Sequence, residues 1–356
     1  MSSYDSPVTV GLIGYGFVGK VFHAPMITAT PGLRLVAVAS RRASDVHADH
    51  PDVDVVADPY ELVQRDGVDL VVIASPNDTH RPLAEAALNA GRHVVVDKPF
   101  ALSLDDARSI VATAERCGRL VSVFQNRRWD SDYLGVKQVI AAGLIGEVKH
   151  FESHIDRFRP TPQNRWRENA GPGAGLWFDL GPHLVDQVLH LFGLPSRVTA
   201  DLARLRDGSQ TDDWAHVVLD YERRRVILHA SMVAAGAHTR FIVHGDAGTL
   251  VKRGSDLQEA RLREGIAPGS AGWGDDPDDM VLFDGSGETR ILPTPAGDQL
   301  QYYVQLRRAI AEGGPNPVRP HEALGVMAVI EAGLQSARTA AAMAPALTAD
   351  ERSAWV

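Results

Sequence analysis

Three side chains in this sequence have the types and positions needed for proton transfer at an alcohol. Asp179 and His183 are four residues apart in a segment with helical periodicity, so both are expected to project from one face of a helix. A histidine, with an ordinary pKa of about 6.5, beside a carboxylate is suited to accept a proton from a hydroxyl group. Lys98 directly follows an apolar run, and its ammonium group can hydrogen-bond a hydroxyl or an alkoxide that develops from it.

The same residues allow other interpretations. Lys98 taken alone fits a surface lysine, and Asp179 taken alone fits a helix N-cap. A metal site is a further alternative, with ligands among Asp179, His183, Asp186 and His190. No matching cluster elsewhere in the sequence completes a metal shell, so we expect an acid–base pair and no metal.

A glycine-rich segment near the N-terminus, GYGFVG at residues 14–19, has the G-x-G-x-x-G spacing of a dinucleotide-binding loop. It follows an apolar run at residues 8–13 and precedes a helical segment, which is the context that the motif requires. Gly14 would make the tight turn, Gly16 would let the backbone approach a pyrophosphate, and Gly19 would allow close helix packing. The alternative is a plain glycine turn.

The residues after the second apolar run, at 33–39, bear on the choice of cofactor. NAD-binding proteins place an acidic residue about 20 positions beyond the glycine loop, where it binds the ribose 2′-hydroxyl. This sequence has Ser40, Arg41 and Arg42 there instead. Guanidinium groups bind phosphate in pairs of hydrogen bonds, so the sequence predicts NADP, with NAD also possible. Alternatively, the two arginines only face water.

The first 125 residues alternate short apolar runs with helical patterns, which predicts a parallel sheet covered on both faces. The predicted strands are residues 8–13, 33–39, 53–57, 70–74, 93–97 and 120–124. We therefore expect an α/β protein with an N-terminal Rossmann dinucleotide-binding domain at residues 1–125. Ligands in such sheets bind beyond the carboxyl ends of the strands.

Residues 126–356 predict a second, α+β domain with a mostly antiparallel, open-faced sheet for substrate binding and oligomerisation. Predicted strands are at 147–155, 198–205, 214–221, 225–232 and 241–244, and predicted helices at 131–142, 179–192, 299–312 and 321–340; the last helices can pack back on the first domain. Pro182 fits the first turn of the helix at 179–192. Residues 253–298 are rich in Gly, Asp and Pro, and the acidic cluster there, Asp275, Asp276, Asp278 and Asp279, predicts a solvated loop.

The charge balance excludes several classes of partner. The chain has 36 Lys and Arg against 45 Asp and Glu, a net charge of −9, without a basic patch for nucleic acid or an anionic membrane.

No apolar run reaches the about 18 residues of a membrane span, and the N-terminus lacks a signal-peptide pattern. Cys117 is the only cysteine, which excludes an intrachain disulfide and favours a reducing compartment. We expect a cytoplasmic protein that forms a homodimer or homotetramer through its open sheet.

These motifs together resemble the Gfo/Idh/MocA oxidoreductases, over essentially the whole chain. The resemblance is carried by the glycine loop, by Asp97-Lys98-Pro99 where the family usually has Glu-Lys-Pro, and by DLGPH at residues 179–183. Finer patterns at 22–25, 77–80, 126–132 and 177–194 are similar to the branch that contains NADP-dependent scyllo-inositol dehydrogenases. The resemblance also implies a cis Lys98–Pro99 peptide bond.

The resemblance implies a role for each matching residue. Lys98 would contact nicotinamide ribose and substrate, His183 would accept the hydroxyl proton, and Asp179 would hold a neighbouring hydroxyl. Arg128 and Asp156 would lie on the substrate side, with Arg127, Arg157 and Arg159 as alternatives for the same task. The expected cofactor-binding residues are Gly14, Tyr15, Gly16, Phe17, Val18, Ser40, Arg41, Arg42, Ser75, Pro76, Asn77, His80, Asp97, Lys98, Trp166 and Arg167.

Two functions fit this pattern. The first is an NAD(P)-dependent dehydrogenase or reductase that acts on a secondary alcohol of a cyclic polyol or sugar, with scyllo-inositol as a candidate. The second is a non-catalytic, NAD(P)-sensing regulatory protein with the same fold. Loss of Lys98 or His183 would have indicated the sensor, and both are present, so the sequence favours the enzyme.

Overall fold

The computed structural model describes residues 7–236 and 238–355. The chain divides into two compact units. The first unit contains the described residues of Met1–Asn126, Gln258–Trp273 and Asp298–Ala323, and the second contains those of Arg127–Leu257, Gly274–Gly297 and Leu324–Val356. Each unit therefore draws on more than one stretch of the chain.

The first unit has a six-stranded parallel sheet. Its strands are β1 (Val8–Ile13), β2 (Leu33–Ala39), β3 (Asp54–Val56), β4 (Leu70–Ile73), β5 (His93–Val96) and β6 (Val121–Val123). The order β3-β2-β1-β4-β5-β6 is that of a Rossmann fold, in which ligands bind where the strand order reverses, here between β1 and β4. The strand sequences are continuous apolar runs because helices cover both faces, and β4 is buried along its whole length.

Helices connect these strands. They are a π-helical turn (Gly19–His23) that continues as α1 (Ala24–Ala29), followed by α2 (Ala43–Asp49), α3 (Pro59–Gln64), α4 (His80–Asn89) and α5 (Leu104–Cys117). Ser103 caps α5 by accepting a hydrogen bond of 3.0 Å from the Asp106 N–H, and Gly118 ends it at φ 60°.

The second unit is built on an eight-stranded sheet. Its strands are β7 (Val148–Asp156), β8 (Arg197–Ala203), β9 (Trp214–Tyr221), β10 (Arg224–Ser231), β11 (Phe241–Gly245), β12 (Gly248–Lys252), β13 (Met280–Asp284) and β14 (Thr289–Leu292). The order is β14-β13-β12-β11-β7-β10-β9-β8; β7 and β10 pair in parallel, and the other neighbouring pairs among these described strands are antiparallel. The predicted Rossmann sheet and mostly antiparallel second sheet are both confirmed.

One face of this second sheet is covered by helices. α6 (Ser131–Ala141) and α7 (Leu176–Phe192) belong to this unit, and Phe192 at the end of α7 packs on Phe151 of β7 at a ring distance of 5.3 Å. On the other face, side chains such as His216 and His229 are half-buried. The strands therefore alternate between fully buried and partly exposed positions, as expected for a sheet that is covered on one face.

The last part of the chain contributes to both units. α8 (Gln258–Arg263) and α9 (Gln301–Glu312) lie in the first unit, α10 (Pro320–Thr339) begins there and continues in the second, and α11 (Ala349–Ser353) lies in the second. α9 is anchored to the Rossmann sheet because the Tyr302 hydroxyl donates to Ser122 Oγ of β6 over 3.0 Å.

Two sequence-based expectations in the second half of the chain were wrong. α7 begins at Leu176, so Pro182 lies in its second turn rather than its first. Residues 253–298 are not only a loop, since they contain α8, β13 and β14. The Asp276 side chain is 1% exposed and lies 3.2 Å from the fully buried ammonium of Lys252, so this carboxylate is not solvated.

Among the described residues, no helix combines the length and the apolar character that crossing a membrane requires.

Candidate active site

The glycine loop follows β1 and has the geometry that its three glycines predict. Gly14 has a φ of 95°, and a Cβ there would lie 2.7 Å from the Ala74 carbonyl oxygen at the end of β4. A Cβ on Gly19 would lie 2.0 Å from the Gly14 oxygen. At Gly16, in contrast, a Cβ would meet no atom within 4 Å. The residues therefore fit a dinucleotide, because Gly16 faces open space where a side chain would block a pyrophosphate.

The side chains of the loop hold it in place. Tyr15 is buried, and its hydroxyl donates to Asp49 Oδ2 over 2.8 Å. Burial, assisted by this hydrogen bond, raises the pKa of Tyr15 well above its ordinary value. Lys20 lies 2.7 Å from the same carboxylate. Phe17 is the exception, since it is half-exposed beside Gly16.

The basic residues after β2 differ in how they are held. Arg42 donates from Nη2 to the Tyr15 carbonyl oxygen over 2.8 Å, and its backbone N–H donates to Ser40 Oγ over 3.1 Å. The Arg42 Nε atom also lies 3.5 Å from Asp45. Arg41 is exposed to solvent. Arg42 thus braces the glycine loop, which leaves Arg41 as the arginine more available to a ligand.

The residues after β4 form a compact turn. Ser75 Oγ lies 2.5 Å from Thr79 Oγ1, and the Thr79 N–H donates to the Pro76 carbonyl over 2.9 Å. Asn77 is buried within the same turn. This turn therefore presents a fixed backbone at the carboxyl end of β4.

His80 connects this turn to the residues after β5. It is buried, with Nε2 at 3.0 Å from the Ser75 carbonyl oxygen and Nδ1 at 2.9 Å from the Pro99 carbonyl oxygen. A neutral imidazole has one N–H and donates to one carbonyl at a time, and burial lowers the pKa of His80. The ring thereby fixes the position of the segment that carries Lys98.

Lys98 is partly exposed, and its peptide bond to Pro99 is cis, which confirms the prediction. The preceding Asp97 is buried, with Oδ1 3.7 Å from His23 Nε2. Burial alone would raise the pKa of Asp97, but His23, Lys98 and His80 hold it below its ordinary value. Asp97 is therefore a buried anion that directly precedes Lys98 in the chain and is stabilised by its charge.

His23 in turn is fixed by a residue from α9. Its Nδ1 lies 2.6 Å from the Tyr303 hydroxyl, and both side chains are fully buried. The FHAP pattern at residues 22–25 contains His23 but carries no local signal of its contacts, because Tyr303 is 280 residues away along the chain.

In the second unit, α7 carries Asp179 and His183 on one side of its first two turns. The N-terminus of the helix is capped by a residue from outside the helix. Asp212 accepts a hydrogen bond from the Leu176 N–H at its carbonyl oxygen and another from the Trp177 N–H at its carboxylate. Asp179 is therefore not the N-cap. His183 is 6% exposed, so a substrate hydroxyl bound to it would be largely shielded from water.

Arg167 approaches Asp179 from the Arg- and Pro-rich segment before α7. Its Nε lies 3.4 Å from Asp179 Oδ1, and its guanidinium stacks on the half-exposed Trp166 at 4.7 Å. The structure thus brings Trp166, Arg167 and Asp179 together within the second unit, while Lys98 belongs to the first unit.

The other acid and base on α7 have structural partners. Arg128 makes a buried, bidentate ion pair with Asp186, at 2.7 and 2.9 Å. His190 Nδ1 lies 2.8 Å from the Tyr133 hydroxyl. Across residues 7–236 and 238–355, no group of three or more His, Cys, Asp or Glu side chains is arranged to hold a metal ion.

Asp156, expected on the substrate side, lies at the end of β7. It has the strand parity of His154, opposite to that of Phe151, which faces α7. Its carboxylate lies 3.6 Å from His229 and 3.9 Å from His154. The structure therefore places Asp156 with a group of histidines rather than with the residues of α7.

Comparisons with known proteins agree with this architecture. Residues 8–125 match the family model described as oxidoreductase family, NAD-binding Rossmann fold, and residues 137–344 match oxidoreductase family, C-terminal alpha/beta domain. The uncharacterized oxidoreductase YdgJ of Escherichia coli (strain K12) is 51% identical, over 93% of this chain and 96% of its own.

Two further similarities cover nearly the whole chain. The scyllo-inositol 2-dehydrogenase (NADP(+)) IolW of Bacillus subtilis (strain 168) is 34% identical, over 93% of this chain and 94% of its own. The crystal structure of a protein from Klebsiella pneumoniae aligns with this chain at a TM-score of 0.94. The two sequences are 54% identical, and the alignment covers 99% of this chain and 98% of that chain. This chain belongs to the Gfo/Idh/MocA family of oxidoreductases.

Proposed function

We propose that this protein is an NAD(P)-dependent oxidoreductase that interconverts a secondary alcohol of a cyclic polyol or sugar and the corresponding ketone. The observation that carries the proposal is the arrangement on α7, where Asp179 and His183 share one side and Arg167 lies 3.4 Å from Asp179. A positioned carboxylate, one helical turn from a nearly buried histidine, provides the groups that are needed to remove a proton from a hydroxyl group. The open space at Gly16 supports dinucleotide binding.

A bound nicotinamide supplies the hydride acceptor for oxidation, or the hydride donor for reduction. In the oxidative direction His183 would take the proton of the substrate hydroxyl. The ammonium of Lys98 stabilises the oxyanion that develops on the carbinol oxygen. Asp179, held by Arg167, accepts a hydrogen bond from a neighbouring hydroxyl and orients the ring.

For the cofactor we propose NADP, with NAD as a weaker alternative. Exposed Arg41 replaces the acid that would bind a ribose 2′-hydroxyl, and a guanidinium suits a 2′-phosphate. The relative IolW is named for NADP. Gly14–Gly19 backbone atoms would hold the diphosphate, and the residues after β4 and β5 would hold the nicotinamide end.

For the substrate we propose an inositol, with scyllo-inositol first, because IolW is named for that compound. Polyol pockets select by the positions of their polar groups, so sugars and sugar acids belong in the same screen. We further propose a cytoplasmic homodimer or homotetramer that pairs through the exposed face of the second sheet.

The test is a screen of inositols, aldoses and sugar acids with NADP and with NAD, following the absorbance of the reduced nicotinamide. We expect turnover of at least one polyol, faster with NADP. If a dinucleotide binds but no polyol or sugar is turned over, the protein is the alternative, a non-catalytic sensor of NAD(P). If no dinucleotide binds, both functions are wrong.

A further inference from the structure

An arginine from the second half of the sequence lies against the glycine loop. The Arg263 guanidinium is 4.9 Å from the centre of the Phe17 ring. Phe17 directly follows Gly16 and is 51% exposed. Its ring is also fixed on another side by Phe22, in an edge-to-face contact at 5.7 Å. Arg263 thus stands beside the part of the loop where the backbone is open to a ligand.

The element that carries Arg263 is firmly held within the first unit. Gln258, at the start of α8, is fully buried and accepts a hydrogen bond of 2.7 Å from the Gln299 N–H. Leu262 is 6% exposed, and Arg261 donates to the Trp273 carbonyl oxygen over 2.7 Å. The position of Arg263 beside the loop is therefore a property of a packed segment and not of one mobile side chain.

The Arg263 guanidinium is exposed enough to bind an anion in addition to its acidic neighbour. Glu259 lies 2.5 Å from Arg263 Nη2 and engages part of the guanidinium fork. The side chain is 44% exposed, and a guanidinium has five N–H donors. A second arginine contacts the same loop, since Arg42 donates to the Tyr15 carbonyl oxygen. Two guanidinium groups therefore contact the loop, and each also lies near an acid, Asp45 for Arg42 and Glu259 for Arg263.

We propose that Arg263, stacked on Phe17, is a cofactor-binding residue that pairs with the diphosphate of the bound dinucleotide. The diphosphate is the part of the cofactor that the open position at Gly16 admits, and Phe17 places the guanidinium next to that position. This assignment rests on the dinucleotide binding of the proposed function. It gives α8, whose residues the sequence presented only as part of a loop, a direct part in the site.

The experiment measures dissociation constants by titration calorimetry for NADP, NAD and ADP-ribose, all of which contain the diphosphate. Losing one charge-assisted contact weakens binding by about tenfold, so Arg263→Ala should raise all three constants by about that factor. Phe17→Leu should give a smaller rise, because it removes the stacking surface and leaves the charge. Glu264→Ala, on the next residue, which is also exposed, is the matched control and should leave the constants unchanged.

The outcomes separate this inference from the proposed function. If the wild-type chain binds a dinucleotide and Arg263→Ala binds it equally well, the inference is wrong and the proposed function stands. A loss for NADP alone would also overturn it, since the contact would then be to the 2′-phosphate. If the wild-type chain binds none of the three ligands, both fail. Thermal unfolding without ligand should be the same for Arg263→Ala and wild type, because the side chain is half-exposed.

Discussion

The carboxylate of Asp212 accepts a hydrogen bond of 2.7 Å from the backbone N–H of Trp177 and thereby fixes where α7 begins. The neighbouring Gly175 has a φ of 105°, and a Cβ there would lie 2.0 Å from Asp212 Oδ1. The start of the helix is thus built from a residue 35 positions later in the chain. Asp179 and His183 receive their positions from this external cap.

Asp212→Ala should therefore destabilise the protein. Loss of a capping oxygen costs about 0.5–2 kcal/mol of the free energy of unfolding, and we expect a correspondingly lower melting temperature. Asp212→Asn keeps an oxygen acceptor and should recover most of the loss. Denaturant unfolding at neutral pH measures both variants, and equal stability of Asp212→Ala and wild type would disprove the capping role.

The same carboxylate should make stability depend on pH. Burial raises the pKa of Asp212 above its ordinary value, so the folded state binds this proton more tightly than the unfolded state does. The contribution of Asp212 to stability is therefore greatest at low pH and falls as the pH rises from about 4 through the raised pKa. Asp212→Asn lacks this dependence, so its stability relative to wild type should improve with rising pH. A difference that is constant with pH would contradict this.

The elements that the sequence predicted correctly are those that local interactions determine. β2 and β9 coincide with their predicted ranges because continuous or alternating apolar residues determine them. The start of α7 was misplaced because its cap comes from Asp212. β13 and β14 were missed because their short apolar runs are flanked by Gly, Asp and Pro, while pairing with β12 and with each other forms them.

The candidate site divides in the same way. Gly14 and Lys98 are recognisable because each belongs to a short motif that directly follows an apolar strand. The residues that support Asp97 could not be recognised, because His23 and Tyr303 meet only when α9 packs in the first unit. Arg263 carries no local signal either, since its contact with Phe17 spans most of the chain.

The pair of Arg128 and Asp186 offers a test of structural against substrate-binding roles. Removing one partner of a buried ion pair costs about 3–5 kcal/mol, so Arg128→Leu and Asp186→Leu should each destabilise the protein strongly. The double variant should lose less than the sum, because no unpaired charge remains. Urea unfolding of the four proteins measures this. Unchanged stability together with a raised KM in Arg128→Leu would instead support the substrate contact that the family resemblance implies.

Arg41→Ala should shift the cofactor preference. Loss of a charge-assisted phosphate contact costs about 1.5–3 kcal/mol, so the apparent KM for NADP should rise by about tenfold or more while that for NAD changes little. Arg34→Ala, an exposed arginine near the other end of β2, is the matched control. Equal losses for both cofactors in Arg41→Ala would show that Arg41 does not distinguish them.

Lys98→Ala should lower turnover and also weaken cofactor binding, because we assign the ammonium to both the developing oxyanion and the nicotinamide ribose. Single-turnover rates and cofactor dissociation constants separate the two effects. Lys98→Arg keeps the charge but not its position, and should recover more cofactor affinity than turnover. A variant that loses only cofactor affinity would remove Lys98 from the chemical step.

His183→Ala should lower kcat by about 10²–10⁴-fold, which is the usual contribution of a positioned general base. Its dissociation constant for NADP should stay near that of wild type, because the diphosphate is assigned to the glycine loop and Arg263 of the other unit. His190→Asn serves as the control on the same helix: it should reduce stability through the lost Tyr133 contact and leave kcat of the folded enzyme largely intact. The kcat of His183→Ala should also lose the acid limb of the pH–rate profile that a histidine base gives. Full turnover by His183→Ala with the best polyol would assign the proton transfer to another group, even if every other residue of the site acts as proposed.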